Sequence, residues 1–366
     1  MSDPGRRSNT QSFRAQRSGV AESIAGTGRR LVTVLSAAGL ALTAGLGLAA
    51  CGSQEDCSEA DGGCGGRTAP TAGPTVVGLT FIPNIQFAPF YVAATDGLLP
   101  DGVELRHHGA SEGLFTALAA GQEQFVVAGG DEILQARAQG VDVVAVAPYY
   151  QSYPARLIVP ADSAIQTLAD LKGHSVGLPG RYGENWFALV LALAQAGLTE
   201  QDVTIAEIGY TQLAALSTGK VDATIGFANG DAVNFAAAGF PVRAIDPEVP
   251  LVSICLATTS ALAETEPELV RGVVTALGLA IASVVADRDH ALQVAAQHIP
   301  DFDSPEAQTS ASLVLEATVP LFVGRLGQSP GLDPAQWRTM AEAMAANGLL
   351  PGPVEASQAM SDQFTT

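Results

Sequence analysis

From Thr75 onward, short apolar runs alternate with longer segments of helical periodicity, and this alternation constrains the fold more than any other feature. Apolar runs such as Val76–Phe81 and Phe125–Ala128 have the length of strands rather than of buried helices. Helical segments follow them and often end at a glycine, as Leu114–Ala120 does before Gly121. Strands that alternate with helices in this way predict an α/β protein with mainly parallel sheets.

The alternation divides into two units. The first ends with the strand pattern Arg156–Pro160, and Leu251–Thr258 is typical of a strand that returns to it, followed by helical patterns such as Glu266–Ala286 and Ser304–Thr318. We therefore predict two α/β lobes joined by crossings near 157–161 and 243–248, with a ligand cleft between them at the strand ends. The predicted divisions are lobe I (75–158 and 246–350), lobe II (159–245) and a C-terminal tail (351–366).

The N-terminal region predicts export and lipidation. Arg29 and Arg30 precede an uncharged stretch, residues 31–50, which ends at the tetrapeptide Leu48-Ala49-Ala50-Cys51 that lipoprotein signal peptidase cleaves. A transmembrane anchor is the alternative, because twenty apolar residues can just span a bilayer. The many Ala and Gly residues and the final cysteine favour a signal peptide over 1–50, with lipid on Cys51. The protein is then expected outside the cytoplasm, held on the membrane by its lipid.

Residues 51–74 are rich in Gly, Ser, Glu, Asp, Thr and Pro, which predicts a flexible tether. Cys57 and Cys64 lie in this segment and could pair in an oxidising compartment, an alternative that spacing alone leaves open. Cys255 lies in an apolar run and is expected to be a buried hydrophobic residue.

Charge limits the partners. Residues 1–50 carry six of the 18 basic and two of the 37 acidic residues, which leaves the remaining chain a net charge of −23. This balance disfavours nucleic acid and anionic lipid headgroups, and it fits a neutral ligand better than an anionic one. The five histidines form no metal-spaced cluster and the sequence has no His-Glu-x-x-His or Gly-x-Ser-x-Gly motif, so we predict no metal, no cofactor and no catalysis.

Candidate ligand-binding residues follow the predicted strands, where amides, carboxylates and aromatic rings could surround a flat heterocycle. In chain order they are Asn84, Gln86, Phe87, Tyr91, Asp131, Tyr150, Gln151, Tyr153, Tyr182, Trp186, Asn229 and Asp231.

Each candidate also has a plain structural interpretation. Phe87 and Tyr91 could be packing residues, and Asp131 could cap its own helix. The tyrosines of Tyr149–Tyr153 could form a packed loop with hydroxyls in solvent, and Trp186 could belong to the core. Asn229-Gly230 could simply be a turn.

The segments Phe81–Ala93, Leu168–Gly177 and Leu216–Ala223 resemble the SsuA/THI5-like (NMT1) family of solute-binding proteins, over essentially all of residues 75–350. Leu178–Gly183, together with Tyr149–Pro154, is most similar to the riboflavin-binding lipoproteins of that family. The resemblance implies a periplasmic-binding-protein fold of the type II-like class. The chain departs from the family pattern at Gly97–Val103, which is shortened, and at Asn229-Gly230-Asp231, where an Asn-Glu pair is more usual.

The resemblance also implies a function. It implies a monomeric, lipid-anchored solute-binding component of an ABC importer that captures riboflavin, or a close flavin, by closure of two lobes and then docks on the transmembrane permease. Alternatives are a thiamine pyrimidine precursor or a sulfonate-type solute as ligand, or a tethered sensor without a permease. A thiamine-pyrimidine synthase-like enzyme is a more distant alternative, since that enzyme needs a cysteine-rich motif and the body of this chain has Cys255 alone.

Overall fold

The computed structural model describes residues 73–109, 112–323 and 332–365, and the statements below concern these residues. The predicted signal peptide, the lipidation site Cys51, the Cys57–Cys64 pairing and the tether up to residue 72 lie outside them. The strands are β1 Thr75–Leu79, β2 Val103–His107, β3 Phe125–Gly129, β4 Val144–Pro148, β5 Ala155–Pro160, β6 Ser175–Leu178, β7 Thr204–Glu207, β8 Ala223–Phe227, β9 Val242–Ile245 and β10 Ile254–Thr258.

Helices connect and cover these strands. They are α1 Ala88–Thr95, α2 Thr116–Ala119, α3 Gly130–Ala138, α4 Gly183–Gln195, α5 Gln212–Ser217, α6 Asp231–Ala237, α7 Ser260–Thr265, α8 Pro267–Ala286, α9 Arg288–Ala295, α10 Pro305–Val323 and α11 Pro334–Ala346.

The strands form two five-stranded sheets, ordered β2-β1-β3-β10-β4 in lobe I and β7-β6-β8-β5-β9 in lobe II. Strand β10 is antiparallel to both of its neighbours, and so is β5. The other four strands of each sheet therefore run in one direction. The predicted α/β fold with mainly parallel sheets is confirmed, and the antiparallel strands are the two that directly follow a passage of the chain between the sheets.

The chain passes from the first sheet to the second between β4 and β5. Strand β5 pairs with β8 and β9 from Ala155 onward, so the passage occupies residues 149–154. The sequence placed this crossing near 157–161, because a lone strand pattern does not show which sheet it joins. The return occupies residues 246–253, close to the position expected.

Lobe I has apolar cores on both faces of its sheet, one against α1, α8, α9 and α10 and the other against α3 and α11. Helix α8 is long and apolar enough to cross a membrane by length and composition. However, Val270, Val273 and Ala280 on one of its faces are fully buried against that first core, so α8 is a core helix of lobe I.

Helix α10 extends five residues beyond its predicted end at Thr318 and passes through Pro320 to Val323. The predicted end was wrong because proline usually stops a helix. The extension has a consequence for the site, since Phe322 is buried edge-on against Tyr149 and Tyr150.

Candidate functional site

The carboxyl ends of the strands of the two sheets face one another, and we call the region between them the cleft. Lobe I contributes the segments after β1, β3 and β4, and lobe II those after β6, β7 and β8. The lobes touch here, because Glu132 Oε1 lies close to Gly183 of lobe II and the Glu184 side chain lies close to Gly129 of lobe I. Both sides of the cleft therefore reach any molecule held between the lobes.

The segment after β1 is built around Asn84. Its Oδ1 accepts a hydrogen bond from the backbone N–H of Gln86 at 3.0 Å, which starts a short 3₁₀ turn at Ile85–Phe87. Its own N–H donates to the Tyr91 hydroxyl at 3.2 Å. The Gln86 carbonyl accepts from the Tyr149 hydroxyl, while its side-chain amide points toward Gly230 of lobe II. Gln86 is thus the member of this segment that reaches across the cleft.

Phe87 and Tyr91 lie inside lobe I rather than at the cleft surface. Tyr91 is fully buried, stacks on His298 with ring centroids 4.6 Å apart, and its hydroxyl lies 3.0 Å from His107 Nε2. Phe87 is buried edge-on against His107. Both residues therefore have the positions that their alternative interpretation as packing residues predicts.

Three acidic side chains meet at the centre of the cleft, and we call Asp131, Glu132 and Glu184 the acidic floor. Asp131 is completely buried, and its Oδ2 lies 2.6 Å from the Tyr153 hydroxyl, which is also 3.0 Å from the backbone carbonyl of Glu184. Glu132 Oε2 accepts from the Gly129 N–H at 3.1 Å and Asp131 Oδ1 accepts from the Glu132 N–H at 2.8 Å, so both acids bond backbone N–H groups at the start of α3. Glu132 and Glu184 are not among the site residues predicted from the sequence. They are 52 positions apart and come together only because the two lobes touch.

Burial and mutual repulsion raise the pKa of every member of the acidic floor. Burial raises the pKa of Asp131 to about 7, and the Tyr153 hydrogen bond opposes this. Burial and then the charge of Asp131 raise the pKa of Glu132 to about 8. The pKa of Glu184 lies well above its usual value for the same two reasons, with Glu132 adding to the repulsion. Three close carboxylates cannot all be ionised in a buried site, so they share protons near neutral pH.

The three tyrosines that follow β4 are largely buried rather than exposed on a loop surface. Tyr149 and Tyr150 are both buried and stack with ring centroids 5.0 Å apart. Tyr153 is half-buried and bonds the acidic floor through its hydroxyl. The backbone N–H of Gln151 donates to the Leu321 carbonyl at 2.6 Å, and its side chain lines a cavity of about 360 Å³ beside the two chain passages.

Asn229, after β8, joins the lobes. It is fully buried, and its Nδ2 donates to the Tyr150 hydroxyl at 3.3 Å and to Thr318 Oγ1 at 3.0 Å, both in lobe I. Its Oδ1 is buried and has no hydrogen-bond partner among the described residues. Asp231 differs: its Oδ2 accepts from the Phe227 N–H at 2.8 Å, which holds the turn into α6, and burial raises its pKa.

Exposed aromatic rings line the mouth of the cleft, and we call Phe81, Tyr182 and Tyr210 the aromatic rim. Their exposed fractions are 46%, 58% and 71%. The rings of Phe81 (lobe I) and Tyr210 (lobe II) face each other with centroids 6.5 Å apart and planes inclined at 59°. The side chains of Tyr182 and Tyr210 form a hydrogen bond through their hydroxyl groups. Of the three, only Tyr182 is among the residues predicted from the sequence. Phe81 is the last residue of the predicted strand Val76–Phe81, and Tyr210 follows β7 by three residues.

Trp186 lies on α4, half-buried between the apolar cores of the two lobes, with the Arg181 guanidinium 4.9 Å above its ring. Arg181 forms ion pairs with Glu200 and Glu207. The position of Trp186 fits the alternative interpretation that it is a core residue. Arg181 is engaged by its two glutamate partners on the surface of lobe II.

One group of metal-ligand type comes together in lobe I, with ligand atoms of His108, Glu112 and Glu123 within 4.8 Å of one another. Arg106 forms ion pairs with both glutamates, and its hydrogen bond is the main reason that the pKa of Glu112 falls to about 2. The carboxylates of this group are therefore paired with the Arg106 guanidinium. The group lies at the edge of the sheet that β2 forms.

Comparison with known proteins places the chain among solute-binding proteins. Residues 84–291 match the NMT1/THI5-like family. The riboflavin-binding protein RibY of Chloroflexus aurantiacus is 34% identical over 310 residues, which cover 81% of this chain and 88% of RibY. A Haemophilus influenzae protein, provisionally named a thiamine biosynthesis protein, is 27% identical over 64% of this chain and 73% of its own length.

Solved structures show the same fold. The periplasmic aliphatic sulphonate-binding protein SsuA of Escherichia coli superposes with a TM-score of 0.63 at 20% identity, over 80% of this chain and 92% of SsuA. The desulfurization enzyme DszB superposes with a TM-score of 0.50 at 19% identity, over 79% of this chain and 97% of the enzyme. The fold thus occurs in binding proteins and in at least one enzyme.

Proposed function

This chain belongs to the NMT1/THI5-like family, and we propose that it binds a flat heteroaromatic solute between its lobes, with riboflavin as the leading ligand. The observation that carries this proposal is the facing pair of exposed rings, Phe81 and Tyr210, at the mouth of the cleft. Single exposed apolar residues are ordinary, but exposed apolar side chains grouped in one patch mark binding sites, and the aromatic rim is such a group. The name of the 34% identical relative supports riboflavin in particular.

The spacing of the two rings suits one planar ligand. Carbon atoms in contact lie about 3.5 Å apart, so a ring held between two others needs about 7 Å between them. The 6.5 Å between the centroids of Phe81 and Tyr210 is close to that value, and rotation of the exposed Tyr210 ring would remove the tilt. Tyr182, joined to Tyr210, would extend the stacking surface on lobe II.

The candidate residues from the sequence then divide by position. Gln86, Asp131, Tyr153, Tyr182 and Asn229 face the cleft and are proposed to contact the ligand or to hold the groups that do. The others are proposed to support the site from behind, and they are Asn84, Phe87, Tyr91, Tyr150, Gln151, Trp186 and Asp231.

We further propose that the protein delivers its ligand to the permease of an ABC importer. Ligand would stabilise the form in which the lobes touch, and the permease would recognise that form. The two passages of the chain, residues 149–154 and 246–253, would act as the hinge. A single polypeptide provides both sides of the cleft, which suits a monomer.

The environments of two nucleophilic side chains, Cys255 and Lys172, support a binding role rather than an enzymatic one. Burial raises the pKa of the Cys255 thiol far above its usual value, so the thiol stays neutral and inside lobe I. Lys172 is exposed and paired with Asp202 at 3.2 Å. We therefore propose no covalent chemistry at the cleft.

Titration of the purified chain into riboflavin, followed by flavin fluorescence, tests the proposed ligand. Stacking on Tyr or Phe is expected to quench the fluorescence saturably. A flat titration from a folded protein would rule riboflavin out. Competition by a pyrimidine precursor of thiamine tests the second candidate, which the name of the 27% identical relative supports.

Membrane attachment is proposed from the lipidation motif and is tested separately. Cys51→Ser is expected to move the protein from the membrane fraction to the soluble fraction, because the lipid would have no attachment site. Cys57→Ser is the matched control, since it removes a neighbouring cysteine and leaves the motif intact. Release by both substitutions would contradict anchoring through Cys51.

A further inference from the structure

The cleft offers a ligand buried hydrogen-bond acceptors that are not yet used. Asn229 Oδ1 and Glu184 Oε1 are both buried without a hydrogen-bond partner among the described residues. Asn229 is the clearest, because the whole residue is buried while its Nδ2 is fully used by Tyr150 and Thr318. A buried acceptor without a partner is costly, so these atoms suit a ligand that brings O–H or N–H groups.

The free acceptors and the acidic floor belong to one site. The Tyr150 hydroxyl that accepts from Asn229 is close enough to Glu184 for its pKa to respond to that carboxylate. Tyr153 connects Glu184 with Asp131. Glu132 Oε1 lies close to Gly183, the residue after Tyr182 of the aromatic rim. A ring held at the rim would therefore have the acidic floor within reach of its substituent.

The acidic floor is not neutralised by basic side chains. Among the ion pairs of the described residues, none involves Asp131, Glu132 or Glu184. The charged neighbours that shift the pKa of Glu184 are the two other acids. Above about pH 8, where Asp131 and Glu132 are ionised, a further anion placed here would meet repulsion at short range in a partly desolvated site.

We infer that the acidic floor selects a ligand whose inner end is uncharged and rich in hydroxyl or N–H donors, and that it excludes a phosphate or sulfonate at that end. This inference rests on the proposed function and deepens it. For a flavin, the polyhydroxyl side chain would enter the floor and donate to Glu132, Glu184 and Asn229. The 5′-phosphate ester of the same flavin would be rejected.

Comparison of three flavins on the wild-type chain tests this inference without any substitution. Riboflavin, its 5′-phosphate and an uncharged 5′-acetate ester of similar reach are titrated at one salt concentration and at about pH 9, where Asp131 and Glu132 are ionised. Two like charges about 5 Å apart at an effective dielectric constant near 20 give binding of the phosphate that is weaker by a factor of a few hundred. The acetate ester is expected to bind much closer to riboflavin.

Charge-removing variants locate the effect. At the same pH, Asp131→Asn and Glu132→Gln are each expected to lower the ratio of the two dissociation constants, phosphate over riboflavin, about tenfold, because each removes a charge that is present there. Glu104→Gln, at an exposed position of β2, is the matched control and should leave the ratio unchanged. Thermal unfolding of each variant checks its fold, and the wild-type comparison stands if a variant fails to fold.

The possible outcomes are separable. Equal binding of riboflavin and its phosphate would overturn the inference and leave the proposed function intact. Exclusion of the acetate ester as strong as that of the phosphate would assign the selection to size and would also overturn it. Binding of neither flavin would overturn the proposed function together with the inference.

Discussion

The Tyr153 hydroxyl lies 2.6 Å from Oδ2 of Asp131, a carboxylate with no exposed surface at the end of β3. The same hydroxyl is 3.0 Å from the Glu184 carbonyl in lobe II. Tyr153 belongs to the passage between the sheets, so one side chain joins the hinge to both lobes. Its loss should therefore affect the stability of the contact between the lobes.

Tyr153→Phe is expected to lower the free energy of unfolding by about 1–3 kcal/mol, because it leaves Asp131 buried without that partner. Urea denaturation measures the change. Tyr182→Phe is the matched control: its ring is exposed and its hydroxyl lies at the surface, so the change should stay within about 0.5 kcal/mol. Equal effects of the two substitutions would contradict a bridging role for Tyr153.

The acidic floor predicts a stability that falls as the pH rises. Folding raises the pKa of Asp131 to about 7 and that of Glu132 to about 8, against about 4 in the unfolded chain. The folded protein therefore holds protons that the unfolded chain has lost, so this stabilisation is lost steadily from about pH 4 up to the folded pKa values of about 7 and 8. We expect the free energy of unfolding to fall between about pH 6.5 and 8, by at most about 1.4 kcal/mol per pH unit for each proton concerned, and the part due to Asp131 and Glu132 to level off above that range.

The lower limit of that window is set by histidines. Burial lowers the pKa of His107 and His298, so their contribution has the opposite sign and is lost as the pH falls below about 6.5. Asp131→Asn should flatten the decline between about pH 6.5 and 8, whereas the control Glu104→Gln, at an exposed position of β2, should preserve it. A flat wild-type profile over this window would contradict proton sharing in the acidic floor.

The aromatic rim predicts a loss of ligand affinity without a loss of stability. Phe81→Ala and Tyr210→Ala should each raise the dissociation constant for riboflavin about tenfold, within the range for stacking on one aromatic side chain. Tyr210→Phe should retain most of the affinity because it keeps the ring. Fluorescence titration measures all three, with Leu279→Ala as a control at another exposed apolar residue, on α8.

Retained affinity and quenching in both rim alanine variants would place the flavin ring elsewhere. Because Phe81 and Tyr210 are exposed, the melting temperatures of these variants should match the wild type. A drop in affinity together with a drop in melting temperature would indicate damage to the fold rather than a lost contact.

The fold was predictable because hydrophobic periodicity is local. Runs such as Phe125–Ala128 and the stripe along Glu266–Ala286 identified a strand and a helix at nearly their observed positions. The end of α10 was missed because tertiary packing of Phe322 on Tyr149 holds the helix through Pro320. A propensity for breaking a helix is weaker than such burial.

The sequence predicted where along the chain the candidate site residues lie, but it did not predict which other side chains they contact. Each candidate lies after a strand, as expected for an α/β protein. Whether a side chain faces the cleft or the core depends on the packing of the two lobes, which no local pattern contains. Asn229 reaches Tyr150, 79 residues away, and Glu132 meets Glu184 only because the lobes touch. The exposure of Phe81 is likewise a property of the assembled lobes.

Asn229 carries the last prediction, because its amide joins lobe II to two side chains of lobe I. Asn229→Ala removes both bonds and should shift the protein toward separated lobes, which raises the apparent dissociation constant for riboflavin about five- to tenfold. Small-angle scattering of the ligand-free chain should show a larger radius of gyration. Thr318→Val removes one of the two bonds and should have a smaller effect, and the double variant should resemble Asn229→Ala, because the bond lost is the same. Additive effects of the two substitutions would show that Asn229 does not act through its bond to Thr318.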